Sequence, residues 1–296
     1  MKKTLFRGVA TALITPMRED GSIDWEAFGR LVDFQIEGGV AALVACGTTG
    51  EASTLTDEEH REVISFVVKR AAGRVPVIAG TGSNDTAYAL ELGKYACEAG
   101  ADALLIVTPY YNKATQEGLV KMFTALADAS EKPVILYNVP SRTGVNIEPA
   151  TYRALADHDN IIAIKEANGN ISKIVETMSY VSGKLDLYSG NDDQIVPLLA
   201  LGGEGVISVV SNLLPRETAQ LCEKFFAGDI KGAAEDQYRL HALIDSLFSE
   251  VNPIPVKAAM AAMGFGSNTL RLPLTPMSQA KYETLLARMR EVGLEV

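Results

Sequence analysis

Short, apolar, β-rich segments alternate with amphipathic helical segments along most of this chain. Eight segments have the length and composition of strands: residues 8–15, 42–46, 75–80, 103–108, 133–138, 161–166, 185–189 and 205–210. Their apolar runs are too continuous for a half-exposed sheet, so they predict parallel strands that are buried on both faces. Eight such units with right-handed crossovers most simply close into an α/β fold of the (β/α)8 TIM barrel type. An open doubly wound sheet is the alternative, but no Rossmann glycine fingerprint follows the first strand.

Helical patterns continue after the eighth predicted strand. One covers about residues 216–227, and three more cover residues 230–248, 255–263 and 278–292. They exceed what a minimal barrel needs, and no low-complexity linker precedes them. We therefore expect a barrel over residues 1–229 and a C-terminal helical region over residues 230–296 that packs against it.

Composition and charge exclude several classes of function. The net charge is −10, with 47% hydrophobic and 22% charged residues, which leaves no basic face for nucleic acid or an anionic membrane surface. No apolar stretch has transmembrane length, and no cleavage site follows the basic start, so we expect a cytoplasmic protein.

The thiols and imidazoles are few and widely spaced: Cys46, Cys97, Cys222, His60, His158 and His241. An odd, scattered set of cysteines is typical of a reducing compartment and matches neither a disulfide framework nor a zinc motif. We expect no metal site.

The connections between the predicted elements are unequal in length. Links from helix back to strand are tight, whereas the links that follow the strands are long, notably residues 47–56, 109–116 and 139–147. Loops of that length exceed the usual strand-to-helix connection and are often functional. They leave the carboxyl ends of the strands, where barrel active sites lie.

Lys165 ends the apolar run of the sixth predicted strand. A lone lysine at a strand end most often reaches for solvent. Inside the mouth of a barrel, burial disfavours the ammonium form and leaves a neutral amine that can attack a carbonyl group. Alternation along the strand should direct Glu166 away from that mouth, toward the helices.

The sequence Gly47-Thr48-Thr49-Gly50-Glu51 follows the second predicted strand. A helix cap is one interpretation, but Thr56 with Glu59 makes a better capping box downstream. The loop is therefore free for another role. Its glycines let backbone N–H groups converge and its threonines add hydroxyl donors, which favours a carboxylate-binding function.

Two further strand ends carry polar side chains. Tyr110 and Tyr111 follow the fourth strand and Tyr137 lies at the end of the fifth. Tyrosines there are commonly packing residues, but beside a lysine and threonines they favour a proton relay. Arg142 is the one arginine on these long loops. It is either a surface ion-pair partner or a bidentate clamp for a substrate carboxylate.

Four motifs carry a resemblance to a known family: GTTGE at 47–51, TPYY at 108–111, YNVPSRTG at 137–144 and IKEA at 164–167. In this order and at these strand ends, they strongly resemble the dihydrodipicolinate synthase family of the pyruvate-dependent class I aldolase and N-acetylneuraminate lyase superfamily. The likeness spans essentially the whole chain. It implies a lyase that condenses pyruvate with L-aspartate 4-semialdehyde in diaminopimelate and lysine biosynthesis, without a cofactor.

The resemblance also implies a role for each motif residue. Lys165 would form the Schiff base with pyruvate, and Tyr137 would shuttle protons through Thr48 to Tyr111. In the family this last tyrosine reaches the site of a partner subunit, so a homo-oligomer is implied, commonly a dimer of dimers. The substrate-binding residues would be Thr49 for the pyruvate carboxylate, Ile207 through its backbone carbonyl, and Arg142 for the semialdehyde.

Three alternatives remain open. An N-acetylneuraminate lyase or a 2-keto-3-deoxy sugar acid aldolase would share the lysine, the tyrosine and the glycine-threonine loop. Sialate lyases usually carry a serine-threonine pair in place of Thr48 and Thr49 and lack an arginine at the position of Arg142, which favours the synthase. A sensor that binds a small acid without turnover is the third alternative, since fold alone does not determine function.

The resemblance extends to a lysine-binding regulatory site. His60, Asn84 and Tyr110 match the pattern of lysine-sensitive members, whereas Asp57 stands in place of a histidine and Tyr88 in place of a glutamate. Without that glutamate the effector's ammonium groups lose a carboxylate partner. We expect weak or absent feedback inhibition by lysine.

Overall fold

The predicted strands form a closed parallel barrel in the computed structural model, which describes residues 2–296. The strands are β1 (Gly8–Ala12), β2 (Ala42–Ala45), β3 (Val77–Gly80), β4 (Ala103–Val107), β5 (Val134–Asn138), β6 (Ile161–Glu166), β7 (Asp186–Ser189) and β8 (Gly205–Ser208). Each strand pairs with its neighbours in sequence, and β1 closes the barrel by pairing with β8, with Val9 beside Val206. The predicted fold class is confirmed.

The first predicted strand is too long. Residues 13–15 are buried and apolar or β-branched, but β1 ends at Ala12. Beyond that point loops cover the chain: Ile14 N donates to Asn212 Oδ1 at 3.2 Å, and Thr15 Oγ1 donates to Gly50 O at 2.7 Å. Burial by loops and burial by strand pairing produce the same apolar pattern, so the sequence did not separate them.

Twelve helices lie within residues 2–296. They are α1 (Trp25–Glu37), α2 (Asp57–Ala71), α3 (Thr86–Glu98), α4 (Gln116–Asp128), α5 (Pro140–Thr143), α6 (Pro149–Leu155), α7 (Ile171–Val181), α8 (Ile195–Ala200), α9 (Pro215–Phe226), α10 (Ile230–Leu247), α11 (Ile254–Ala262) and α12 (Gln279–Glu291). Several begin at a side-chain cap, and α2 has the complete capping box that Thr56 and Glu59 predict.

The long loop after β5 contains structure that the sequence analysis did not predict. Its residues 140–143 form the single turn α5, which begins with Pro140 and ends at Gly144 in the left-handed conformation, with φ of 69°. Proline fits the first helical position and glycine the position after the last. This turn fixes where the Arg142 side chain starts.

The C-terminal helices pack against the barrel's outer helices. Leu240, Leu243 and Leu247 of α10 and Val256 of α11 are buried in the same apolar cluster as the barrel's helix-facing side chains. The segment between α10 and α11 thereby lies against the carboxyl ends of the strands, where Asn252 contacts Thr49. Among residues 2–296, no helix is both long and apolar enough to cross a bilayer.

Candidate active site

Lys165 and Tyr137 lie side by side at the carboxyl ends of β6 and β5. They are register partners across the two strands, and Lys165 Nζ lies 4.1 Å from the centroid of the Tyr137 ring. Both side chains are buried, with 6% and 7% exposure. The quadrupole of an aromatic ring attracts a cation that lies over its face, and more strongly where water is excluded. A carbonyl substrate here would meet an amine and a phenol together.

The neighbours of this pair point to the other side of the sheet. Glu166 and Asn138 are also register partners, and Asn138 Nδ2 lies 3.0 Å from Glu166 Oε1. The phenol of Tyr152, on α6, donates to Glu166 Oε2 at 2.9 Å. Glu166 therefore faces the helices, as alternation along the strand requires.

The loop after β2 is tightly folded around Gly50. A Cβ at Gly50 would lie 3.2 Å from Leu13 O and 3.3 Å from Thr15 Oγ1, so the close approach of the segment that follows β1 favours glycine here. Thr49 is buried and Thr48 is exposed at the mouth of the barrel. The two threonines thus present hydroxyl groups at different depths.

Some of the backbone N–H groups that were expected to bind an anion form hydrogen bonds within the loop itself. The N–H of Gly50 donates to Gly47 O at 3.1 Å, and the N–H of Glu51 donates to Thr48 O at 3.2 Å. These turn contacts satisfy two of the N–H groups that the sequence suggested for an anion. Carboxylate binding here would depend more on the threonine hydroxyls than on converging backbone N–H groups.

Backbone strain is concentrated around the same face. Four non-glycine residues among 2–296 have positive φ, and three of them, Cys46, Glu51 and Tyr111, lie in the loops after β2 and β4. The fourth, Ala72, ends α2. Conformations of this kind cost free energy and often mark functional sites.

A cavity of about 450 Å³ opens beside these loops. Thr48, Tyr137 and Arg142 all line it, so the structure brings three of the predicted site residues together. Lys165 does not line this cavity, but its Nζ lies against the ring of Tyr137, which does. Arg142 is exposed, and its Nη1 donates to the backbone carbonyl of Asn252 at 3.4 Å.

Tyr111 and Ile207, like Thr49, do not line this cavity. Tyr111 is 93% exposed, with φ of 71°, and its side chain projects away from the barrel. Ile207 is buried in the middle of β8, paired with Ala10 of β1. Neither is among the residues that line the cavity.

The cavity extends to the residues of the regulatory pattern. His60, Tyr88 and Tyr110 line it as well. The Tyr88 hydroxyl donates to Asp57 Oδ1 at 2.9 Å, and Arg61 Nε donates to Asp57 Oδ2 at 2.8 Å. The Arg61 guanidinium, despite some desolvation, and the Tyr88 hydroxyl hold the pKa of Asp57 below its usual value. The carboxylate of Asp57, which contacts the cavity-lining Tyr88, is thus already paired.

Asn252 is a site residue that the sequence analysis missed. It is buried, and its Nδ2 donates to Thr49 Oγ1 at 3.1 Å while its carbonyl accepts from Arg142. It therefore joins the two residues predicted to bind the two substrates. Its sequence position, between two helices of the C-terminal region, carries no local signal for this role.

Asp192 is a second missed residue, in the loop after β7. Its Oδ2 accepts the N–H groups of Val209 and Val210 at 2.9 and 2.8 Å, just beyond β8. Burial raises the pKa of Asp192, and hydrogen bonds from Ser208 and these N–H groups, with the charge of Lys165, oppose that rise. A buried carboxyl group is therefore close enough to Lys165 to interact with its charge.

The chain is similar to known proteins along nearly its whole length. The profile of the Dihydrodipicolinate synthetase family matches residues 5–292. The chain belongs to the dihydrodipicolinate synthetase family. One relative in this family, the 4-hydroxy-tetrahydrodipicolinate synthase of Caldicellulosiruptor bescii, is 53% identical over 293 residues, which cover 99% of each chain. The corresponding synthase of Acetivibrio thermocellus is 51% identical over 294 residues, covering 99% of this chain and 100% of its own.

Solved structures of the dihydrodipicolinate synthetase family have the same fold. The dihydrodipicolinate synthase of Thermotoga maritima superposes with a TM-score of 0.96 at 44% identity and covers 98% of this chain and 99% of its own. The enzyme from Aquifex aeolicus gives a TM-score of 0.94 at 45% identity, with 97% and 98% coverage. The barrel and the C-terminal helices are therefore shared across the family.

Proposed function

We propose that this chain is a lyase that condenses pyruvate with L-aspartate 4-semialdehyde, the 4-hydroxy-tetrahydrodipicolinate synthase reaction. The observation that carries the proposal is the buried Lys165 amine held 4.1 Å from the Tyr137 ring in a chain of this family. Roughly 50% identity to curated synthases over the full length supports the same reaction. The product would enter diaminopimelate and lysine biosynthesis.

The covalent chemistry needs only the lysine amine. Lys165 Nζ adds to the keto carbon of pyruvate, and loss of water gives an imine. Loss of a proton from the methyl carbon then gives an enamine. The enamine carbon bonds to the aldehyde carbon of the second substrate, whose oxygen takes up a proton. The second substrate's amino group finally replaces Lys165 at the imine carbon, which closes the ring and frees the enzyme.

Proton transfer is assigned to Tyr137. Two observations support this role: Tyr137 lines the cavity, and its ring centroid lies 4.1 Å from Lys165 Nζ. Thr48 lines the same cavity and is proposed to pass the proton on. Thr49 and the backbone carbonyl of Ile207 are proposed to bind the pyruvate.

Tyr111 is proposed to complete the relay from a second subunit. An aromatic side chain that is 93% exposed on a strained loop is well placed to enter a neighbouring chain. We therefore propose a homo-oligomer, a dimer of dimers, in which each dimer shares its tyrosines. We also propose a cytoplasmic location and a division into a catalytic barrel, residues 1–229, and a helical region, residues 230–296.

Arg142 selects the synthase over the sialate lyases and sugar acid aldolases. It lines the cavity at its exposed end and offers a guanidinium to a substrate carboxylate. A polyhydroxylated sugar needs many neutral hydrogen-bonding groups instead. L-Aspartate 4-semialdehyde carries one carboxylate, which a single cation such as the Arg142 guanidinium can bind.

The proposal is tested by trapping the Schiff base. The protein is incubated with pyruvate, reduced with borohydride and digested, and the adduct is mapped by mass spectrometry. We expect the adduct on Lys165, with none in Lys165→Arg and full adduct in Lys121→Arg, which changes an exposed lysine on α4. An adduct at another lysine, or none, would contradict it. A coupled assay that compares aspartate semialdehyde with N-acetylneuraminate then distinguishes the synthase from the lyase.

A further inference from the structure

A buried carboxylate lies directly behind the proposed catalytic pair. Glu166 is 1% exposed and follows Lys165 on β6, and its partner Asn138 follows Tyr137 on β5. The inner faces of the two strand ends therefore carry the reactive groups. The outer faces carry this carboxylate and this amide.

Every contact of the Glu166 carboxylate comes from a hydrogen-bond donor. Asn138 Nδ2 lies 3.0 and 3.2 Å from its two oxygens, the Tyr152 hydroxyl 2.9 Å from Oε2, and the Asn168 N–H 2.9 Å from Oε1. An ionised carboxylate accepts at all of these positions, whereas a glutamine would turn an amide N–H toward one of the donors. The surroundings therefore require an acceptor-only group.

The same network reaches the loop that carries Arg142. Asn138 Oδ1 accepts the N–H of Ile147 at 3.0 Å, and its Nδ2 lies 2.9 Å from Asn146 Oδ1. The ends of β5 and β6 and the far end of this loop are thus fixed to one carboxylate. The register of β5 against β6 shifts at Val134 and Ile135, so the ladder is irregular where the strands begin.

The carboxylate has no cationic partner among residues 2–296. The groups that face it are Asn138 from β5, Tyr152 from α6 and the N–H groups of Ala167 and Asn168 after β6; Glu148 approaches only through Asn146. Burial raises the pKa of Glu166 to about 7, and the hydrogen bonds from Asn138, Tyr152 and the backbone oppose that rise. Burial and the neighbouring carboxylate raise the pKa of Tyr152 well above its usual value, so this phenol remains a donor.

We propose that Glu166 is a positioning residue for the lyase reaction: through Asn138 and Tyr152 it holds the ends of β5 and β6 in the register that places Lys165 Nζ against Tyr137. This rests on the proposed function. An unpaired buried carboxylate costs free energy that a neutral side chain would not. The position of Glu166 directly behind the reactive pair is explained by its role in holding the ends of β5 and β6 in place.

The test measures turnover for each active site. Wild type, Glu166→Gln and Tyr152→Phe are compared with Glu204→Gln, a control at the opposite end of the barrel where β8 begins and Glu204 pairs with Arg7. Borohydride trapping at saturating pyruvate counts competent sites. The kcat per trapped site is then measured from pH 5.5 to 9, and melting temperatures report folding.

We expect Glu166→Gln to lower kcat per trapped site at least tenfold, with Glu204→Gln within twofold of wild type. We expect the acidic limb of the wild-type pH profile near pH 7. Tyr152→Phe should move it to higher pH, because a lost donor to the ionised form raises the carboxyl pKa. A purely structural role would change the melting temperature and the number of trapped sites. It would leave kcat per trapped site and the pH of the acidic limb unchanged.

A folded Glu166→Gln with kcat per site within twofold of wild type, together with an unmoved limb in Tyr152→Phe, would overturn the proposal. If Glu166→Gln does not fold, the pH profile of Tyr152→Phe is the deciding measurement. An acidic limb shifted to higher pH supports the proposal, and an acidic limb at the wild-type pH overturns it. Failure of the wild type to trap pyruvate on Lys165 would instead remove the proposed function, and this inference with it.

Discussion

Lys257 of α11 and Glu51 of the loop after β2 form an ion pair inside the protein, with Nζ 2.5 Å from Oε1 and both side chains 1% exposed. The second oxygen of Glu51 accepts the backbone N–H of Arg271 at 3.1 Å. The Arg271 guanidinium in turn pairs with Glu59 at the start of α2. The C-terminal region therefore holds the threonine loop by charge as well as by packing.

Replacing Lys257 by methionine should strongly destabilise the fold. Burial lowers the pKa of Lys257 while Glu51 opposes that fall, so each charge depends on the other. Removal of one partner leaves a buried charge uncompensated, which costs about 3–5 kcal/mol. Urea denaturation measures the loss. Lys281→Met, which removes an exposed partner of Glu250, should cost less than about 1 kcal/mol.

The double variant Glu51→Gln with Lys257→Met sharpens this prediction. It removes both charges, so we expect it to recover part of the stability that Lys257→Met loses. If the double variant is as unstable as the sum of the two single variants, the two charges do not depend on one another and the interpretation is wrong.

Asn252→Ala should impair pyruvate use more than folding. It removes the donor to Thr49 Oγ1, and one hydrogen bond of about 1–1.5 kcal/mol corresponds to roughly tenfold in binding or rate. We expect KM for pyruvate to rise by about that factor. The matched control is Asn160→Ala, since the Asn160 side-chain amide is also a donor, to two backbone carbonyls, but lies at the amino-terminal end of β6. Equal kinetic damage from both would contradict the assignment.

The sequence predicted the strands and their functional ends because both are local signals. An apolar run that ends in Lys165 or Tyr137 indicates a strand end, and the long loops that follow the strands indicate which end of the barrel is its mouth. The end of β1 was mispredicted because Leu13 and Ile14 are buried by other loops, which the run does not reveal. Asn252 was missed because its contact with Thr49 joins residues 203 apart in the chain.

His60 should make the fold sensitive to acid. Its Nε2 lies 2.8 Å from Gly80 O, and a carbonyl can only accept, so the ring donates there. Burial lowers the pKa of His60 below its ordinary 6.5, against the raising effects of that carbonyl and of Asp57. Between the lowered pKa and 6.5 the unfolded chain binds a proton that the folded protein does not. Stability therefore falls as the pH drops below 6.5, by at most about 1.4 kcal/mol per pH unit.

The free energy of unfolding from pH 7.5 to pH 5 measures this effect. In His60→Gln the contribution of His60 to the fall in unfolding free energy below pH 6.5 should be absent. The difference in stability between wild type and variant should therefore shrink toward low pH. His241→Gln, on the exposed side of α10, is the control and should keep the wild-type slope. An identical slope in His60→Gln would exclude His60 as the source.

L-Lysine should inhibit this enzyme weakly or not at all. Tyr88 stands where lysine-sensitive members carry a glutamate, and Asp57 is already bound by Arg61 and Tyr88. Neither residue offers a free carboxylate to an ammonium group. Initial rates at increasing L-lysine, with both substrates fixed, measure this. Tyr88→Glu should increase the sensitivity and Tyr88→Phe should not; strong inhibition of the wild type at low lysine concentration would overturn the prediction.

Arg142→Ala should separate the two half-reactions. Arg142 and Tyr137 both line the cavity, whereas Lys165 does not line it. Loss of a charge-assisted contact of about 2–3 kcal/mol corresponds to a 30-fold to 150-fold fall in kcat/KM for the semialdehyde. The rate at which pyruvate forms the borohydride-trapped adduct should stay within about threefold of wild type, a change of less than about 1 kcal/mol. The reason is that Arg142 makes no contact with the Lys165 amine that the variant could lose. Arg153→Ala, which removes an arginine from α6 stacked near Tyr180, is the control and should change neither rate. If Arg142→Ala slows adduct formation as much as aldehyde use, the arginine serves the whole site rather than the second substrate.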